Sequence, residues 1–517
     1  MSVNSRIQNS FFNFISGIGY RILTLFTAFM VRTVFIKCLS AEYLGINGLY
    51  SNILSMLSLA ELGFGTAIVY SMYQPLANKD YKKLQQLMKL YQNAYRIIGT
   101  VILVLGLCLV PFLDVLIKDK PNISGLTFYY LLFLLNSVVS YWFFAYRNSL
   151  LTADQKAHVV TNYSSIFNLI KSVLQVVFLI VFRNFTVYLM IQIICTISEN
   201  IAVAIKVDSI YPFMKEKNRE KLPTNERKKI FKDVKALMLT KISHIALNGT
   251  DNIIISAFVG LKWVGLLSNF MMISDAITAI LCQITSAITA SLGNFFAQED
   301  KKSGYRLFCR VEFLNFWLYG FCTISLIVLL NPFITIWLGK QYILSQWTVI
   351  WISINFFVAG FMNTIFTFRS TLGLFIQGQY RPVIVTAINI VLSIGLSYKW
   401  GITGVLAATS ISRLCVNLWY DPWLIHKRGF QVSVKPFFVK YLKRCLLLGV
   451  VSCLMEQIAM KIFTGGIGVG NFIVMLIIVV ILPNGIFLII FHKKEEFKYF
   501  LGFGKKYLLR GEDNGKR

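Results

Sequence analysis

Apolar stretches long enough to cross a bilayer follow one another along almost the whole chain. They lie near 11–35, 44–70, 95–117, 126–147, 159–182, 185–206, 233–258, 264–292, 308–331, 345–377, 381–399, 401–420, 441–462 and 469–491. A spanning helix needs about 20 predominantly apolar residues, whereas a barrel strand needs only about 10. Inside lipid every backbone N–H and C=O must find a partner within its own segment, so runs of this length can only be helices. The expected fold is therefore an all-α integral membrane protein with about 14 transmembrane helices, of which 345–377 is long enough to include a re-entrant turn. Only 14% of residues are charged and 56% are hydrophobic. A soluble domain carries about a quarter charged residues. That difference excludes a soluble enzyme, a disordered chain and a secreted disulfide scaffold.

The 51 Lys+Arg residues outnumber the 23 Asp+Glu, giving a net charge of +28. Their positions explain the excess. With an even number of spans and the N-terminus inside, the inner connections collect Lys79, Lys82, Lys83 and Lys89, then Lys301, Lys302, Arg306 and Arg310. The 206–241 connection, 427–444 and the tail 493–517 are also basic, whereas outer connections carry one or two cations, such as Arg183, Lys262 and Lys340. This is the positive-inside distribution. It places both termini in the cytoplasm and makes nucleic-acid binding an unneeded explanation of the charge. Nine cysteines lie far apart, several within apolar runs (Cys108, Cys195, Cys322), so they read as buried hydrophobes rather than disulfides or metal ligands. No phosphate-binding glycine loop is present, and the outer loops are short, which argues against an ATPase and against a membrane glycosyltransferase.

Shifting the sequence by 220 residues brings Glu42-Tyr43-Leu44-Gly45-Ile46 onto Lys262-Trp263-Val264-Gly265-Leu266. The same shift brings the stripe Arg21, Thr24, Ala28, Arg32 onto Lys241, His244, Asn248, Asn252, with helical spacing in both copies. Both copies start inside, so the repeat is parallel, an arrangement in which transporters place their substrate between two halves. The expected organisation is an N-terminal lobe at 1–207 and a cytoplasmic basic connection at 208–232. A C-terminal lobe at 233–424, an appended pair of spans at 425–491 and a cytoplasmic basic tail at 492–517 complete it. The two six-helix lobes would surround a central cavity.

Ionisable side chains within spans cost about 2.5–3.5 kcal/mol each on insertion scales, so they face a cavity or a partner. Arg21, Lys171 and Lys241 are the candidate cavity cations, with Lys171 on a stripe with Asn168 and Gln175. Arg32 reads equally as a cavity cation or as a side chain reaching the outer headgroups, and Arg413 has the same choice at the inner face. Glu61, Glu199, Asp251 and Asp275 are candidate coupling acids or structural partners of the cations, and His244 is a candidate pH-sensing or hydrogen-bonded wall residue. More cations than acids in the cavity points to an anionic cargo, since Arg forks onto phosphate oxygens and Lys offers a point charge. With the interior negative, each negative charge moved outward gains about 2.3 kcal/mol per 100 mV.

Leu44-Gly45-Ile46-Asn47-Gly48-Leu49-Tyr50, followed by Ala60-Glu61-Leu62-Gly63-Phe64-Gly65-Thr66-Ala67, resembles the signature of Wzx-type polysaccharide flippases. Gly401-Ile402-Thr403-Gly404, Ile411-Ser412-Arg413 and Asn417-Leu418-Trp419 are similar to the same family's twelfth span. The resemblance runs over essentially the whole chain. It implies the two-lobed fold of the multidrug/oligosaccharidyl-lipid/polysaccharide exporter superfamily, in a bacterial plasma membrane. It implies alternating access that moves undecaprenyl-pyrophosphate-linked oligosaccharides to the outer leaflet, beside a polysaccharide polymerase and chain-length machinery, with no cofactor. Arg21, Lys171 and Lys241 match the family's cationic cavity. A lipid II flippase and a cation-coupled multidrug or metabolite antiporter of the same fold are the alternatives.

Overall fold

The computed structural model describes residues 3–58, 64–118, 123, 125–215, 222–228, 230–231, 234, 249–298, 301–374, 377 and 380–502. Side chains are described from residue 16 onward, except at 18, 66 and 283–298. Every regular element among these residues is helical. The chain divides into two compact units, Met1–Gly265 and Leu266–Arg517.

The first unit holds α1 (Val3–Cys38), α2 (Ala41–Leu57), α3 (Phe64–Ala77), α4 (Tyr81–Leu109), α5 (Leu126–Trp142), α6 (Asn148–Ala153), α7 (Ala157–Phe182) and α8 (Phe185–Ile210). It also includes the short helix Gly249–Val259 and the first residues of α9 (Leu261–Gln298). The second unit continues with α10 (Lys301–Trp337), α11 (Gln346–Thr371), α12 (Arg381–Leu424), α13 (Lys435–Ile462) and α14 (Val469–Phe491).

Among the described residues nine helices are long and apolar enough to cross a membrane, or ten if the bent pair α5–α6 is one span. One of the nine is itself a hairpin. The run Arg381–Phe430 has 50 residues and would be about 75 Å long if straight, far more than the roughly 30 Å hydrocarbon core. Gly401 breaks it with φ 56° and ψ −134°. Across that break Asn389 Nδ2 donates to Thr409 Oγ1 at 3.0 Å, although a straight helix would hold the two about 30 Å apart. Gly404, on the returning arm, packs so closely on the first arm that a Cβ there would lie 2.2 Å from the Leu396 carbonyl oxygen. The expected spans 381–399 and 401–420 are thus separate arms. Stretch 345–377, by contrast, contains one continuous helix, Gln346–Thr371. The expected spans at 11–35, 44–70 and 233–258 each include residues outside those fully described.

The two turn motifs that the 220-residue shift superposes meet each other. A Cβ on Gly45 would lie 2.3 Å from the Leu261 carbonyl oxygen, and one on Gly265 would lie 2.2 Å from the Ala41 carbonyl oxygen. Because the shift carries Ala41 onto Leu261 and Gly45 onto Gly265, the contact is reciprocal. Backbone against backbone leaves no side chain to yield. Gly45→Ala and Gly265→Ala should therefore each cost about 1–3 kcal/mol through overpacking. The expected result is a lower Tm of the detergent-purified protein for both variants, with Gly449→Ala, which meets open space, unchanged.

Candidate functional site

Three helices of the first unit, α1, α7 and α8, carry the charged stripes, and α7 packs along both neighbours. Their polar side chains meet in levels. Ser164 Oγ on α7 donates to Glu199 Oε1 on α8 at 2.5 Å. Thr27 Oγ1 on α1 donates to Asn168 Oδ1 on α7 at 3.1 Å. Further along, Gln175 Nε2 donates to the Tyr188 carbonyl at 3.3 Å, and the Arg32 guanidinium is near enough to Tyr188 to act on it electrostatically. Residue numbers rise together on α1 and α7 and fall on α8, so α1 and α7 run parallel and α8 runs back. Thr196 Oγ1 reaches Asn136 Oδ1 at 3.1 Å, extending the wall onto α5.

Aromatic rings end the wall beyond Arg32. Phe35 stands edge-on to Tyr188 at 5.2 Å and to Phe185 at 5.8 Å, and Tyr43 and Tyr129 close on Phe185 at 5.1 and 5.0 Å. Edge-to-face rings at these separations are favourable and stiff.

Arg21 is exposed, while Arg32, Lys171 and Glu199 are half-buried. Lys171 lies one turn beyond Asn168, and it and Glu199 both act electrostatically on Cys195. The structure therefore brings Arg32, Lys171 and Glu199 close to the α1–α7–α8 contacts, where neutral Thr, Asn and Gln side chains make the hydrogen bonds, while Arg21 is exposed on α1. Such an arrangement offers fixed donors to acceptor oxygens at mid-helix depth. Lys241, His244 and Glu61 lie outside the described residues. Asp251 is half-buried on the helix Gly249–Val259; Asp275, exposed on α9, and Arg413, half-buried on α12, belong to the second unit.

The second unit uses its charges differently. Asp421 pairs with both Arg381 and Arg369, the latter at 3.3 Å. Arg369 also donates to the carbonyls of Leu374, at 2.9 Å, and Gln377, which ties the α11–α12 connection to the end of α12. Glu312 on α10 pairs with Arg444 on α13, whose guanidinium lies 4.6 Å from the Phe316 ring centre. These matched pairs were not among the sequence candidates. For Glu312 and Arg444 the signal was nonetheless present: an acid and a base, each about one turn inside an apolar run, which lipid would not tolerate singly.

Beyond the last span, burial works against ionisation of Glu496, but the hydrogen bond from Lys440 Nζ at 2.8 Å overcomes it and holds the carboxyl below the ordinary glutamate range. A lowered value means that the pair stabilises above that range and is lost as pH falls through it. Glu496→Gln should therefore flatten the acid limb of the stability–pH profile, by no more than about 1 kcal/mol because both side chains are partly solvated. Thermal melts between neutral and acid pH check this.

Residues 18–181, which span the wall from α1 to α7, match the MatE family model. No curated protein matches the sequence. Among solved structures, the lipid II flippase MurJ in an inward closed conformation aligns over 93% of this chain and 98% of its own, with a TM-score of 0.66 at 17% identity. The chain has the MurJ/MATE transporter fold. An inward-facing multidrug resistance MATE family transporter of the MOP superfamily aligns over 77% of this chain and 93% of its own, with a TM-score of 0.58 at 14% identity. A Vibrio cholerae MATE transporter covers 83% and 99%, with a TM-score of 0.52 at 13% identity. The first unit of this chain carries the three cations Arg21, Arg32 and Lys171 on α1 and α7. The described polar contacts of its second unit are mostly between neutral groups, such as Ser410 with Asn355 and Thr348 with Thr403, at 2.8 and 2.6 Å.

Proposed function

We propose that this protein is an alternating-access flippase for an anionic lipid-linked oligosaccharide, in the manner of the Wzx-type proteins its sequence resembles. The observation that carries the reading is the packing of α1, α7 and α8 through neutral hydrogen-bonding side chains, on helices that also carry Arg21, Arg32 and Lys171. A pyrophosphate is the cargo group that such a wall suits, because guanidinium and ammonium groups pair with its oxygens. In this reading residues 1–207 and 233–424 are the two lobes and Lys241 supplies the matching cation of the second. The basic segments 208–232 and 492–517 lie in the cytoplasm of a bacterial cell. The cargo is an undecaprenyl-linked repeat unit destined for capsule, exopolysaccharide or O-antigen, delivered to a polymerase with its chain-length machinery. The outward step moves negative charge down the membrane potential.

Deleting the protein is expected to leave lipid-linked repeat units on the inner leaflet and to remove the surface polymer. Normal surface polymer, in a strain without a second flippase, overturns the reading. A second reading has its own support: the likeness to MurJ covers nearly all of both chains, which favours lipid II as cargo. Rescue of peptidoglycan synthesis in a cell depleted of its lipid II flippase separates the two. A drug antiporter would instead depend on Glu61 and Asp275 and confer efflux.

A further inference from the structure

A cavity of about 760 Å³ opens between the first turns of α13 and the end of α14, far along the chain from the cargo wall. Its polar lining consists of Lys435, Lys440, Lys443, Arg444, Lys494 and one carboxylate, Glu496. Its apolar lining includes Phe313, Val439, Leu447 and Ile490. Two of the five cations are already paired, Lys440 with Glu496 and Arg444 with Glu312. Lys435, Lys443 and Lys494 are exposed and make no ion pair among the described residues.

Arg444 is the unusual member. Its residue is only 3% exposed, and its Nη1 meets Glu312, yet its Nε and Nη2 have no hydrogen-bond partner among the described residues. Buried donors left unmet are costly, and a guanidinium fork is shaped for phosphate oxygens. Next to the cavity, α13 exposes Leu442, Leu446 and Val450, and α14 exposes Ile481 and Ile489. These side chains belong in lipid, so the cavity opens where acyl chains lie.

We propose that this cavity binds an anionic phospholipid of the cytoplasmic leaflet. Its phosphate would sit among Lys435, Lys443 and Lys494 with the unmet donors of Arg444 beneath, and an acyl chain would lie on Val439, Leu447 and Ile490. Basic pockets between spans on the cytoplasmic side bind such headgroups. The choice of leaflet rests on the orientation in the functional reading above; the chemistry of the pocket does not.

The test is native mass spectrometry of the full-length protein in detergent, titrated with phosphatidylglycerol or with phosphatidylcholine of the same chains. Phosphatidylglycerol is expected to bind at least about tenfold more tightly. The triple variant Lys435→Gln, Lys443→Gln, Lys494→Gln should bind it no better than phosphatidylcholine, whose own binding, unchanged, reports an intact fold. Lys340→Gln with Lys262→Gln, at connections expected on the other side, should leave the preference as it is. Equal affinity for the two lipids, or an undiminished preference in the triple variant, overturns the proposal. So does displacement of the lipid by millimolar inorganic phosphate, which would make free phosphate the ligand, or by undecaprenyl pyrophosphate, which would make the pocket part of the cargo path. No transport enters the readout, so failure here leaves the flippase reading standing and the reverse also holds.

Discussion

Replacing Lys171 by Ala is expected to cut surface-polymer export at least tenfold while the amount of protein in the membrane stays normal. Lys171 sits 14 residues into α7, about 21 Å along the helix from its start, too deep for the ammonium group to reach either surface. It lies one turn from the Thr27–Asn168 contact between α1 and α7. If a pyrophosphate rests there, removing the cation leaves a desolvated anion unpaired. Truncating one member of such a pair costs about 2–5 kcal/mol, a factor of about thirty or more, enough for at least a tenfold loss of export. Lys171→Arg keeps the charge and should retain most of the activity. Lys241→Ala should reproduce the loss if the repeat places an equivalent cation in the second half. The measurement is surface polymer in a deletion strain carrying each variant. Wild-type export by both alanine variants would sink the cargo assignment.

The second large effect is on stability. Arg444→Leu or Glu312→Leu alone should lower stability by about 3–5 kcal/mol, because each leaves a buried, uncompensated charge. The double variant should recover much of the loss. A well-packed apolar pair can replace a buried ion pair at little cost, and the Phe313 and Phe316 rings already surround Arg444. Melting of the detergent-purified protein checks this; a double variant as unstable as the worse single would mean that the pair contributes more than charge compensation. The same comparison bears on the lipid pocket, since Arg444 lines it.

The spans are the part of this protein most open to reading from sequence, and the reason is local. Hydropathy over about 20 residues is decided by the bilayer and hardly by the rest of the chain. Even the hairpin at Gly401 could be read as two runs, because glycine can take the positive φ that reverses the backbone. The two similar turn motifs were also visible, and the reciprocal fit of Gly45 and Gly265 gives their glycines a physical purpose. What escaped was partnership. Glu312 and Arg444 are 132 residues apart, and Arg369 and Asp421 are 52 apart. Nothing in one dimension says which buried acid will meet which base.

The sequence by itself therefore determined that this chain is a bundle of helices long and apolar enough to span a membrane, because water and lipid act on each segment separately. Only the tertiary structure decided which polar residues meet: Thr27 with Asn168 and Ser164 with Glu199 between helices, Arg444 with Glu312 at the edge of a pocket, Arg369 and Arg381 locked on Asp421. That decision depends on helix packing. Packing brings residues such as Thr27 and Asn168, 141 positions apart, within 3.1 Å, and with them the charges one turn away.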